Sequence, residues 1–160
     1  FYNNNYTIVQ TPDNIVIMAE MVHDTRIIRM NAKAHINARN QPWLGDSIGH
    51  WEGDTLVVET TNIHPMQREQ TSILWAYRGA SEKLKVTERF TRTGPDTIVY
   101  RFTMEDPDVF TAPSTGELPF TKIDEMVYEY ACHEGNYAMT NILSGERKRE
   151  SEAAAQKKQQ

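Results

Sequence analysis

Hydrophobic and polar residues alternate along this chain in short runs, and those runs predict strands. Tyr6 to Gln10, Ile15 to Met21 and Thr25 to Met30 are rich in β-branched residues. Thr11-Pro12-Asp13-Asn14 is turn chemistry between the first two, and Val22-His23-Asp24 joins the second to the third. Residues 31–45 are polar, have no period and end in Gln41-Pro42-Trp43-Leu44-Gly45, which reads as a long loop anchored by Trp43. The strongest local signal follows. Ser47 to Glu52, then Gly53-Asp54, then Thr55 to Asn62 form a hairpin with a two-residue turn. That turn pairs Glu52 with Thr55, Trp51 with Leu56, His50 with Val57 and Ile48 with Glu59. Trp51, Leu56 and Val58 then share one face, and His50, Val57 and Glu59 share the other.

Gln67 to Arg78 reads either as a short helix or as an aromatic-rich crossing segment, because Ile73, Leu74, Trp75 and Tyr77 do not make a helical stripe. A second hairpin runs from Leu84 to Thr93, through Gly94-Pro95-Asp96, and back from Thr97 to Asp106. An even-length loop places Leu84, Val86, Glu88 and Phe90 on one face with Val99, Arg101 and Thr103. Glu88 and Arg101 are therefore expected as a cross-strand ion pair among apolar neighbours. Pro107, Pro113 and Pro119 keep the next stretch irregular or at a sheet edge. Val127 to Glu134 is the last expected strand, and Tyr137 to Leu143 is expected to turn helical. The fold class is mainly β: an antiparallel meander forming a small barrel, with a β-sandwich as the alternative and a short C-terminal helix or tail. Residues 1–145 form one β domain, and 146–160 a charged tail that is a frayed helix or disordered.

Charge and composition narrow the partners. A formal charge of −5 argues against a nucleic-acid partner, which needs a concentrated cationic face. The five Lys/Arg of residues 146–160 are mixed with three Glu and do not supply one. The longest apolar run, Ile15 to Ala19, is strand-sized, so no membrane-spanning helix is expected. A chain starting at Phe1 is expected to continue upstream. Cys132 is the only cysteine. It is expected as a buried thiol, with a disulfide to upstream sequence as its rival and a reactive thiol as the third option.

Trp43-Leu44-Gly45, the run Gly49-His-Trp-Glu-Gly-Asp-Thr-Leu-Val-Val-Glu-Thr-Thr-Asn62, Val86-Thr-Glu-Arg-Phe90 and Tyr128-Glu-Tyr-Ala-Cys-His-Glu-Gly-Asn-Tyr137 together carry a resemblance. The chain resembles a family of exported bacterial hypothetical proteins from environmental Gram-negative groups, over about Tyr6 to Leu143. What the resemblance implies is a periplasmic or extracellular location, with a signal sequence and a further region upstream. It implies no reaction.

Candidate chemistry falls into a few constellations. His50 and Glu59, on one hairpin face, are candidates for acid–base work in which the carboxylate orients the imidazole; equally, they are a solvated pair. Glu88 with Arg101 is either a clamp for a polar ligand or a structural ion pair. Trp43, Trp51 and Trp75 offer flat surfaces for a sugar or another planar ligand, or are core and loop anchors. His133 shares a strand face with Glu129. Cys132 and His133 are neighbours on a strand and point to opposite sides, so they are not a dyad. No metal-ligand spacing, phosphate loop or nucleophile elbow occurs, and neither a metal nor another cofactor is expected. The leading expectation is a non-catalytic domain that binds a small molecule or serves as accessory subunit of a larger assembly, with a small molecule or a protein as partner. The alternative is a cofactor-independent hydrolase, lyase or isomerase using His50 and Glu59 with Arg101. That alternative requires His50, Glu59, Glu88 and Arg101 to converge on one cavity.

Overall fold

The structure, a computed structural model, describes residues 5–68, 80–128 and 134–157. The chain divides into two compact units, residues 1–128 and 129–160. In the first, eight strands form one sheet in sequence order: β1 (Tyr6–Gln10), β2 (Asn14–Ala19), β3 (Thr25–Met30), β4 (Asp46–Glu52), β5 (Thr55–Thr61), β6 (Lys85–Gly94), β7 (Thr97–Glu105) and β8 (Ser114–Thr121). A four-residue helix, α1 (Pro65–Arg68), follows β5. The protein is thus mainly β, its sheet curled into a half-barrel. Right-handed strand twist accumulated over eight strands produces such a curl.

Local chemistry makes the hairpins. The β1–β2 turn is closed by the Thr11 hydroxyl, which donates to the Asn14 carbonyl and accepts from the Asn14 N–H. The Gly53-Asp54 turn has the expected register, with Trp51 opposite Leu56 and Ile48 opposite Glu59. Gly53 alone is left-handed there, at φ 58°, as the first position of a II′ turn demands.

The departure from a pure meander is at β3 and β4, which pair in parallel. A parallel pair needs a long crossover, and residues 31–45 supply it without a helix. Trp43 packs on His64 with ring centroids 5.4 Å apart, so it does hold the loop. The stronger anchor is Asp46, at the start of β4, which binds the loop through His35 and the Ile36 N–H.

The second hairpin corrects the sequence reading. Gly94 lies opposite Thr97, but Arg92 lies opposite Ile98, so Thr93 is an extra residue on its strand. A one-residue bulge inverts the faces beyond it. Glu88 therefore opposes Phe102, and Arg101 opposes Arg89 on the other side of the sheet. The expected Glu88–Arg101 ion pair is not formed.

The concave side carries the core: Ile15, Ile17, Ile28, Leu56, Val58 and Phe90, with Met30, Ile98, Tyr100 and Phe120 packed against them. Gly116 belongs to this packing, since a Cβ there would lie 2.5 Å from the Phe102 ring. Strand β8 is a sheet edge, as its proline content foretold, and Pro119 lies within it.

In the second unit, one helix, α2 (Ala138–Lys157), runs through both the expected helical turn and the expected tail. Its side chains from Ala138 to Gln156 are exposed. The last expected strand, with Cys132 and His133, falls mostly on residues outside those described, as does Trp75. Val127 and Tyr128 themselves carry no strand.

Candidate functional site

Strict alternation along three strands delivers the site. In β3, Arg26, Ile28 and Met30 point to the concave side while Thr25, Ile27 and Arg29 point away. In β6 the inward set is Val86, Glu88 and Phe90. In β7, because of the bulge at Thr93, it is Ile98, Tyr100 and Phe102. Arg26 reaches across β4 and β5 to Glu88. Its guanidinium donates Nη1 to Oε2 at 2.5 Å and Nη2 to Oε1 at 3.0 Å, a bidentate pair. The Tyr100 hydroxyl donates to Glu88 Oε1 at 2.9 Å. The Glu88 side chain is 5% exposed and that of Arg26 21%. Burial, followed by the facing Glu88 carboxylate, pushes the Tyr100 pKa well above the usual tyrosine range, so the hydroxyl stays protonated.

These three groups stand in a cavity of about 390 Å³ whose other walls are mainly apolar, among them Tyr6, Ile17, Val86, Phe90 and Phe120. Aromatic rings continue along one wall. Phe90 and Tyr100 have centroids 4.8 Å apart, Tyr100 and Phe120 5.1 Å, and Phe120 stacks on Tyr6 at 5.7 Å. Tyr6 is on β1 and Phe120 on β8, so side chains draw the two edge strands together without a backbone ladder. At the lip, beside Asp24 and Arg26, Val22 and His23 are both left-handed, at φ 66° and 57°. For a β-branched valine this is strained backbone, of the kind that gathers at functional sites.

The convex side carries a different cluster. Asp46 accepts from Arg29 Nη2 at 2.9 Å and lies 2.7 Å from His35 Nδ1. Burial by itself disfavours its charge, but hydrogen bonds from His35, Arg29 and the Ile36 N–H prevail and hold Asp46 below the ordinary carboxylate range. His35 Nε2 is 3.1 Å from Glu59, and Lys85 bridges Glu59 and Glu105. A hydrogen bond to Glu105 is the main reason that Lys85 is held above the usual lysine range.

The candidates named from sequence separate accordingly. His50 and Glu59 do share the convex face. They do not pair: His50 lies 3.3 Å from Glu52, whereas Glu59 turns to His35 and Lys85. Arg101 is exposed on that same side. Glu88 alone of His50, Glu59, Glu88 and Arg101 faces the cavity, so the convergence required for acid–base catalysis is missing. Trp51, 47% exposed, lies at the rim with Gly53, Asp54 and Arg92 around a shallow depression between the two hairpin tips. Sequence reasoning missed Arg26, Tyr100 and His35. The signal for Tyr100 was present, since Ile98, Tyr100, Phe102 and Met104 are the apolar half of β7 and Val99, Arg101, Thr103 and Glu105 its mostly polar half.

Among the described residues, no group of His, Cys, Asp or Glu side chains is arranged to hold a metal ion, and no helix is long and apolar enough to cross a membrane. No protein-family model, curated protein or solved structure matches this chain.

Proposed function

We propose that this domain is a non-catalytic binding module that takes a small molecule into the concave side of its half-barrel. One observation carries the reading: a mostly apolar cavity of about 390 Å³ with the Arg26–Glu88–Tyr100 trio in its wall. Ligand sites are typically concave, mainly apolar and of about 300–1,000 Å³, with a few placed polar groups. The separation of His50, Glu59 and Arg101 from that cavity supports binding over the acid–base alternative. The test is fluorescence titration with N-phenyl-1-naphthylamine, a neutral probe that brightens in apolar surroundings. Binding is expected to the native protein and not to Ala19→Trp, which fills the cavity beside Tyr6. Equal binding by a folded Ala19→Trp protein would place the site elsewhere.

A protein partner, as for an accessory subunit, is favoured by a separate observation. Val9, Met18 and Ile27 are all exposed on the convex side of β1–β3. Under this reading Ile27→Lys abolishes partner association and leaves probe binding intact. The periplasmic or extracellular setting is proposed on the family resemblance alone, and fractionation of cells expressing the full-length protein tests it.

A further inference from the structure

The chemistry of the trio selects the polar group of the ligand, given that the concavity is a binding site. The charged groups in the lining are Asp24, Arg26 and Glu88, two carboxylates against one guanidinium. Glu88 spends three of its about four acceptor sites inside the protein, on both terminal nitrogens of Arg26 and on the Tyr100 hydroxyl. Tyr100 in turn spends its proton on Glu88. What the trio has left is chiefly donor capacity on Arg26: three guanidinium N–H groups not directed at Glu88, on a side chain still 21% exposed.

An anion entering here meets an arginine whose charge Glu88 already neutralises, and it gives up its own hydration without a free counter-charge. At the trio a cation meets the guanidinium itself, and the carboxylate that Arg26 does not take up, Asp24, stands outside the trio. A neutral carbonyl oxygen has neither disadvantage and accepts from the remaining N–H groups. The wall beside the trio is the run of rings Phe90, Tyr100, Phe120 and Tyr6, whose faces and edges suit a flat ring system. We infer that the concavity selects neutral, planar, ring-bearing molecules with a carbonyl oxygen, and that it discriminates against carboxylates of the same size. The carbonyl accepts from Arg26 while the ring lies along the aromatic wall. Glu88 holds the guanidinium in place and serves as a positioning residue.

A series on one ring system separates the possibilities: naphthalene, 1-acetonaphthone, 1-naphthoate and 1-naphthylmethylammonium, each competed against N-phenyl-1-naphthylamine on the native protein. The ketone is expected to bind about tenfold more tightly than naphthalene, the worth of one retained hydrogen bond. The carboxylate should bind more weakly than naphthalene. In Arg26→Met/Glu88→Leu, the ratio of ketone to naphthalene affinity should fall to about one. A carboxylate or ammonium that equals or exceeds the ketone overturns this inference while leaving the concavity a binding site, and so does a ketone no better than naphthalene. If neither the probe nor any competitor binds the native protein, the reading of the concavity fails and this inference with it.

Discussion

Replacing Arg26 by methionine should destabilise the protein because it strands a carboxylate. The Glu88 side chain is 5% exposed, and two of its three hydrogen bonds among the described residues come from Arg26. Breaking a buried pair by removing one partner costs about 3–5 kcal/mol. The remaining exposure of Arg26 lets water relieve part of that, so a cost of about 3 kcal/mol is expected. With a urea m-value of about 2 kcal/mol/M, the unfolding midpoint should fall by roughly 1.5 M. Removing both charges is a different matter, because apolar replacements of similar volume are often neutral. Arg26→Met/Glu88→Leu should therefore recover most of the loss, less about 1 kcal/mol for the Tyr100 hydroxyl left without its acceptor. Urea unfolding of native, both single and double variants closes the cycle. A coupling energy of about 2 kcal/mol or more is expected, and one below about 0.5 kcal/mol would refute a buried, mutually dependent pair.

The register produced by the Thr93 bulge makes a paired prediction: Tyr100→Phe should cost about 1.5–3 kcal/mol, the range for a hydrogen bond to a charged group, while Arg101→Ala should stay within about 0.5 kcal/mol. Denaturant unfolding of the two variants checks it, and a large loss for Arg101→Ala would restore the Glu88–Arg101 pairing. For Asp46, the folded-state pKa lies below the unfolded one, so its contribution is fully present above the unfolded value and is lost as pH falls through the folded one. Asp46→Asn should accordingly be less stable at neutral pH and flatten the decline in stability below about pH 4. Thermal melts across that range decide, and parallel pH profiles for the two proteins would count against the anchoring role of Asp46.

Much of the fold was legible because its signals are local. The Gly53-Asp54 turn and the alternation around it suffice to pair Trp51 with Leu56 and Ile48 with Glu59. Pro119 was readable as an edge residue because proline has no N–H to donate to a ladder. The candidate site was less legible. Assuming an even-length loop in the second hairpin put Arg101 inward, whereas the apolar half of β7 pointed to Tyr100. Packing Ile98 and Tyr100 against the core outweighs the single ladder position given up at the bulge, so the hydrophobic pattern overrides the even-loop register. His50 and Glu59 share a face as read, yet nearer partners claim each of them.

Sequence alone determined most of the strand content, the turn chemistry and the face of each residue in the Gly53-Asp54 hairpin, because these depend on neighbours a few positions away. Tertiary structure decided what those faces meet. Arg26 and Glu88 belong to strands separated by two others, and only the curl of the sheet brings them within 3 Å across the concavity. His35 lies in a loop without pattern and gains its two carboxylates only because β3 and β4 pair in parallel and draw that loop over the convex side. Contacts of that kind depend on the sum of many strand twists and crossovers, and no local run of residues encodes such a sum.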